Sequence, residues 1–217
     1  MIREELIKRV AMKMDEISSS DDVIVNVGVE DNNPLYTQIN GLLNECINEV
    51  LTKAPIYRIQ DFIGKLEITS DSEVKIFGGS RYKTVTIVPE DFIRIASITD
   101  NLFQRPITDL AIEGDSVDIM QHNKHLVGKY SKPVAVIGRD ANGNRVISCY
   151  SYGVDDKANA TLLYVKRYDK TDMLEESGLD DYMTDVVSWV CAGRVFASRG
   201  DINNSKLCDE KATALMV

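Results

Sequence analysis

The hydrophobic periodicity of this chain changes twice, and that change restricts its fold more than any single motif. Near both ends, apolar residues recur every three to four positions, as one face of a helix requires. Between about residues 62 and 168 they fall instead into short runs separated by Gly, Asn, Asp and Pro, the pattern of strands and turns. A chain written this way is α+β, with helices at its two ends and strands between them.

At the N-terminal end, Ile2, Leu6, Val10, Met14 and Ile17 share one face of a helix over 2–17, with charged residues on the other, and Ser18-Ser19-Ser20-Asp21-Asp22 ends it. Val23–Val29 is a short apolar stretch that reads as a strand or an extended arm, followed by a turn at Glu30-Asp31-Asn32-Asn33. The clearest helix follows. Asn33 suits the cap and Pro34 the first helical position. Leu35, Ile39, Leu42, Leu43, Cys46, Ile47, Val50 and Leu51 form a wide apolar stripe, and Ala54-Pro55 stops it.

The middle region offers strands at Gly64–Thr69, Val74–Phe77, Tyr82–Val88, Phe92–Ile98, Val134–Ile137, Val146–Tyr150 and Thr161–Val165. Hairpins are expected at Gly78-Gly79-Ser80-Arg81 and at Asp140-Ala141-Asn142-Gly143-Asn144. These strands predict an antiparallel sheet or small sandwich. After Asp180-Asp181, the residues Leu179, Met183, Val186, Val187, Val190, Cys191 and Val195 return to helical spacing. Gly200 marks a break, and Asn203 or Asn204 caps a final short helix through Leu215. No internal repeat or low-complexity linker interrupts the 217 residues. The expectation is a single α+β unit over 1–217, in which helical segments 1–55 and 172–217 pack together beside an antiparallel β module at 62–168.

The charge balance is acidic: 25 Lys plus Arg against 34 Asp plus Glu give a net charge of −9. That argues against a broad nucleic-acid interface, which needs clustered basic residues. Trp189 and the nine tyrosines are not interleaved with basic residues as a base-stacking surface would be; Trp189 is expected to anchor the C-terminal helix. Acidic residues interrupt the N-terminus at once, and no apolar run reaches membrane-spanning length, so a cytosolic origin without membrane contact is expected. The four cysteines, Cys46, Cys149, Cys191 and Cys208, lie far apart in sequence, and reduced, buried thiols are expected rather than a zinc or redox motif.

Several short patterns carry possible chemistry. His122-Asn123-Lys124-His125 would place two histidines on one helical face for a metal, but no third ligand is signalled, and a surface loop or helix end is the expected setting. Asp140, Asn142 and Asn144 imitate the start of a calcium loop, yet Arg145 and Ser151 stand where Gly and Glu would be needed. Arg199-Gly200-Asp201 matches an adhesion tripeptide, with Gly200 better placed to end a helix. Gly78-Gly79-Ser80-Arg81 could bind an anion through backbone N–H groups, but lacks the spacing of a phosphate loop. The acidic pairs Glu4-Glu5, Asp21-Asp22, Asp155-Asp156, Glu175-Glu176 and Asp180-Asp181 read as solvated caps and turns, and nothing selects one for acid–base work.

Three segments considered together resemble a family: Val88-Pro89-Glu90-Asp91-Phe92-Ile93-Arg94-Ile95-Ala96-Ser97-Ile98, then Phe103-Gln104-Arg105-Pro106-Ile107, then Lys132-Pro133-Val134-Ala135-Val136-Ile137. With the helix at Leu35–Leu51 before them and Leu179–Phe196 after, their order is similar to that in head-to-tail connector, or adaptor ring, proteins of tailed bacteriophages of the crAss-like podovirus type. The resemblance covers roughly residues 30–200.

It implies a virion protein of the head–tail neck, assembled in the host cytoplasm as a cyclic homo-oligomer, commonly of twelve copies. It also implies contacts with the portal protein and neighbouring neck or tail proteins, and DNA as transient cargo in the channel. It implies no catalytic, cofactor-binding or metal-ligating residue. Within it, Pro89-Glu90-Asp91-Phe92 would lead into a strand that anchors the β module, and the Arg-Pro and Lys-Pro segments would be edge or turn elements. Another non-enzymatic tail, baseplate or adaptor protein, and a metal-dependent hydrolase using His122, His125 and a nearby acid, stand as alternatives.

Overall fold

The computed structural model of the protein describes residues 1–17, 34–68, 71–76, 79–123, 125–152 and 159–216. The fold is α+β, with helices near both termini and strands in the middle of the chain. The Val23–Val29 stretch, the Asn33 cap and the pairs Asp21-Asp22 and Asp155-Asp156 lie outside the described residues. The chain divides into two compact units. One comprises Met1–Phe62 and Arg167–Val217, the other Ile63–Lys166. The helical segments expected from the two ends therefore share one unit, and the expected strands make the other.

The helical unit contains α1 (Arg3–Ile17), α2 (Pro34–Lys53), α4 (Asp181–Ser198) and α5 (Ile202–Met216). Leu6, Ile7, Val10, Ala11 and Met14 of α1 are buried, as are Ile39, Leu43, Cys46, Ile47, Val50 and Leu51 of α2, so the periodic stripes are the packed faces. The central element is α4, whose apolar residues are buried on nearly all sides. Asp180 caps it by accepting a hydrogen bond from Met183 N at 2.6 Å. Its Gly193 lets α5 approach closely: a Cβ there would lie 3.1 Å from the Cβ of Cys208. Asp201, rather than Asn203 or Asn204, caps α5, accepting from Asn204 N at 3.1 Å. A side chain one turn earlier wins because the chain leaves Gly200 at a φ of +81°, a left-handed step that ends α4.

Arg3 departs from the expected solvated face of α1. It is only 3% exposed. Its guanidinium donates to Asn40 Oδ1 at 2.7 Å, Asn44 Oδ1 at 2.6 Å, Lys170 O at 2.9 Å and Asn40 O at 3.0 Å. A neighbouring latch holds the chain where it returns to this unit. Asn48 donates to Tyr168 O at 2.9 Å and accepts from Tyr168 N at 2.8 Å, as a backbone pair would. Trp189 is buried between the ammonium groups of Lys13, 4.9 Å from the ring centre, and Lys211, 4.3 Å away, and fixes α4 as expected.

The β unit contains two sheets. The first has the order β1-β8-β4, from Ile63–Ile68, Ala160–Lys166 and Phe92–Thr99, all antiparallel. The second has the order β2-β3-β7-β6-β5, from Asp71–Ile76, Gly79–Ile87, Arg145–Tyr152, Ala135–Arg139 and Ala111–Ile112. The last pair, β5 with β6, is parallel, a departure from an all-antiparallel module. The core joins both sheets: Ile68, Phe92, Ile98, Leu162 and Tyr164 from the first meet Ala135, Ile147 and Cys149 from the second. Tyr164 stacks on Phe92 with ring centres 5.8 Å apart, and its hydroxyl donates to Asp91. All four cysteines are free and buried.

Candidate functional site

Period-two alternation fixes which residues reach the outer face of the second sheet. On β7, Ile147 and Cys149 enter the core between the sheets, so Val146, Ser148 and Tyr150 face the opposite way. The same rule sends Val136 and Gly138 of β6, and Lys83 and Val85 of β3, to that outer face. It forms the floor of a cleft of about 350 Å³.

One wall comes from a short helix, α3 (Ser116–Gln121), that the strand-rich pattern conceals. Asp115 caps it, accepting from Asp118 N at 2.8 Å and Ile112 N at 3.0 Å. The bond from Asp118 N is the chief reason the Asp115 carboxyl is held below its ordinary range. Gln121 is buried and ties the helix to the following loop, accepting from Gly128 N at 2.9 Å. Asp118 and His122 then face the floor, with Asp118 Oδ1 4.0 Å from His122 Nε2 and the His122 ring edge-on to Tyr150 at 6.1 Å.

The opposite rim is Glu113, whose Oε2 accepts from Arg139 N at 2.9 Å. Gly138 permits that approach, because a Cβ there would stand 2.5 Å from the same oxygen. The floor tyrosine is electrostatically marked. Burial first, then the charges of Asp118 and Glu113, push the Tyr150 phenol up to about 12. Lys83 Nζ lies 5.4 Å from the centre of the same ring. The cleft therefore combines a mixed floor, Val85, Val136, Val146 and Tyr150 beside Ser148 and Lys83, with carboxylates on both sides. It can hold a cationic or hydrogen-bond-donating group whose stem is apolar.

The sequence candidates fare unevenly. His122 belongs to the cleft, but α3 ends at Gln121, and His125 sits in the exposed turn beyond, its N–H held by Asn123 Oδ1. The two histidines thus do not share a helical face. Among the described residues no group of three or more His, Cys, Asp or Glu is placed to hold a metal. Asp140 is the hub of a hairpin turn: its Oδ1 accepts from Asn142 N and Asn144 N, and its Oδ2 from Asn144 Nδ2. The bond from the Asn144 side chain is the leading reason its carboxyl is held low. Gly143 takes a φ of +85° to close that turn.

Arg199, Gly200 and Asp201 form the α4–α5 junction, with Arg199 donating to Gln38 Oε1 at 3.1 Å. β2 and β3 pair antiparallel as a hairpin would, but Gly79–Arg81, expected in its turn, are strand residues paired with β2, and Gly78 lies outside the described residues. Glu4 pairs with Lys8 at 2.6 Å, Glu5 accepts from Ile2 N, and Glu175 pairs with Lys170 at 2.9 Å. These acidic pairs, with the Asp180 cap, are structural.

The stretch of chain that builds the cleft's α3 wall also carries exposed apolar side chains. Ile112 is 67%, Ile119 64% and Leu126 56% exposed, with Val117 and Met120 also open to solvent. Neither the models of known protein families nor the characterised proteins compared with this chain give a match. No helix of the described residues is long and apolar enough to cross a membrane.

Proposed function

We propose that this protein is a structural ring component of the head-to-tail connector of a tailed bacteriophage, joining portal to tail while DNA passes through the ring. The observation that carries the assembly part of this reading is the exposed apolar chain at 112–126, from Ile112 to Leu126. Five large exposed apolar side chains fall within these fifteen residues, and apolar surface gathered in one place is what partners cover. The phage assignment rests on the resemblance of residues 88–98, 103–107 and 132–137.

The local structure of those segments is compatible with it. Phe92 is buried at the start of β4, Arg105-Pro106 sits in the loop before Ile107 pairs with Ile98, and Lys132-Pro133 turns into β6. A net charge of −9 would repel DNA phosphates and favour sliding over adhesion.

Native mass spectrometry of the purified chain, alone and with the portal protein encoded in the same genome, tests the proposal. A discrete cyclic species in either sample is expected. A monomer in both would overturn the ring. A fixed one-to-one complex with another virion protein would assign the chain to a different interaction role.

A further inference from the structure

The dipeptide Asn-Gly occurs twice in the chain, at Asn40-Gly41 and at Asn142-Gly143. Such a pair is open to attack on itself. The backbone nitrogen of the glycine can reach the side-chain amide carbon of the asparagine, and no Cβ on the glycine stands in the way. The fold sets apart two sites that the sequence makes alike.

Asn40 and Gly41 lie inside α2, with helix before and after them. The Gly41 N–H belongs to the helical ladder. The Asn40 side chain is engaged elsewhere: its Oδ1 accepts from Arg3 Nε at 2.7 Å, while the Asn40 carbonyl accepts from Arg3 Nη2 at 3.0 Å. Bringing the two reacting groups together means unwinding the middle of a packed helix, which costs nearly as much as unfolding it.

Asn142 and Gly143 lie in the turn between β6 and β7, where residues 141–145 are all exposed. The Asp140 carboxylate holds this turn through Asn142 N, Asn144 N and Asn144 Nδ2. Those bonds leave the Asn142 side-chain amide alone, and among the described residues nothing is hydrogen-bonded to it. Gly143 N donates to Asp140 O at 3.0 Å. A turn bond of this kind, in contact with water, opens far more readily than one inside a packed helix. Space around Gly143 is also open, since a Cβ built there would meet nothing within 4 Å.

We propose that Asn142 is a site of spontaneous deamidation in the folded protein, giving aspartate and isoaspartate, and that α2 protects Asn40 from the same reaction. Gly143 N gives up its proton and attacks Asn142 Cγ. The Cγ–Nδ2 bond breaks, Nδ2 leaves as ammonia with that proton, and a cyclic imide remains. Water then opens the imide at either carbonyl. One opening leaves an aspartate on an unaltered main chain; the other routes the main chain through the side chain, as isoaspartate. No electrons are transferred, and water is the sole co-reactant.

Either product adds a negative charge at the tip of the β6–β7 hairpin, next to Asp140. Isoaspartate also lengthens the main chain just before Gly143, whose carbonyl accepts from Arg139 Nη1 at 2.9 Å. The reaction needs only the folded chain and water, so it is independent of ring assembly.

The test follows the full-length chain in mildly alkaline buffer over days, with and without urea. Samples are digested at acidic pH, and the peptides containing Asn40 and Asn142 are quantified by mass spectrometry. Isoaspartate is identified by enzymatic carboxyl methylation. In the native chain, conversion at Asn142 is expected to be about 100-fold or more faster than at Asn40, because only the latter waits for a packed helix to open. In urea the two peptides should convert at similar rates. Native conversion at Asn142 that is no faster than at Asn40, or that appears only in urea, would overturn the inference. Asn142→Ser, shown to be folded by circular dichroism, should lack the more acidic species that the aged wild type gives on isoelectric focusing. Persistence of that species in the variant would overturn the assignment to Asn142.

Discussion

Removing the Arg3 guanidinium tests the packing account of the helical unit most directly. Four hydrogen bonds leave this 3%-exposed side chain, and all end on neutral oxygens of Asn40, Asn44 and Lys170. Each bond to a charged group contributes about 1.5–3 kcal/mol, so four contribute about 6–12 kcal/mol before the cost of burying the charge is subtracted. That cost is several kcal/mol for one ion. Arg3→Ala removes the charge, but it also leaves the Asn40 and Asn44 carbonyl oxygens facing the gap, at about 1–3 kcal/mol for each stranded acceptor.

The two stranded acceptors set the expected net destabilisation at about 2–6 kcal/mol. For a chain of this size, that lowers Tm by roughly 4–24 °C. Arg3→Lys keeps the charge but loses the planar fork, and should fall between the two. Urea and thermal unfolding followed by circular dichroism measure both variants. The triple variant Arg3→Met/Asn40→Leu/Asn44→Leu, which removes donor and acceptors together, should recover part of the loss. An Arg3→Ala protein within about 0.5 kcal/mol of wild type would refute the reasoning, since that is the range of a surface substitution.

Three further outcomes are expected. Gly64→Ala places a Cβ 2.5 Å from the Tyr164 ring, which Phe92 backs and Asp91 holds by its hydroxyl, so unfolding experiments should show about 1–3 kcal/mol of destabilisation. Burial pushes the Cys149 thiol up to about 12 and the Cys208 thiol up to about 11; a disulfide reagent at pH 8 should find the native thiols slow, and four reactive thiols after unfolding in denaturant. Burial also raises the phenols of Tyr150, to about 12, and Tyr164 above their ordinary value near 10. Their folded pKa lies above the unfolded one, so the stability they contribute is complete below about pH 10 and is lost as pH rises toward 12. Alkaline unfolding should therefore proceed over that window, with part of the tyrosinate absorbance appearing only as the chain unfolds.

The long elements were legible because burial repeats along them. The α1 and α2 stripes, and the alternation of β7, each place many residues of one character on one face, and the packed faces are those residues. What escaped had no repeat to display. Two residues suffice for β5, because Ala111 and Ile112 add to an edge already set by β6. Arg3 was indistinguishable from the charged face of α1: its burial depends on Asn40 and Asn44, one turn apart on α2 and far away in sequence. Periodicity reports which face is apolar, but not which single polar residue a distant element will satisfy.

The cleft illustrates the same limit in chemical form. His122 and Asp140 both attracted notice in the sequence, the first for a metal pair and the second for a calcium loop, and both line the cleft for other reasons. A helix continuing to residue 125 would have been needed to bring His122 and His125 onto one face. Instead the backbone turns at Asn123, which accepts the N–H groups of Leu126 and Val127. The usable signal was local: Asp115-Ser116-Val117-Asp118 reads as a cap followed by an acid in the first turn. That pattern locates α3, and β alternation gives the orientation of Tyr150, but neither says that the two meet. Their meeting depends on Gly138 admitting Glu113 and on Gln121 holding Gly128, contacts that join residues from separate elements. The resulting site is defined by the convergence of Asp118 and His122 from α3 on Tyr150 from β7, which exists only once separate elements have packed, so no sequence motif can encode it in advance.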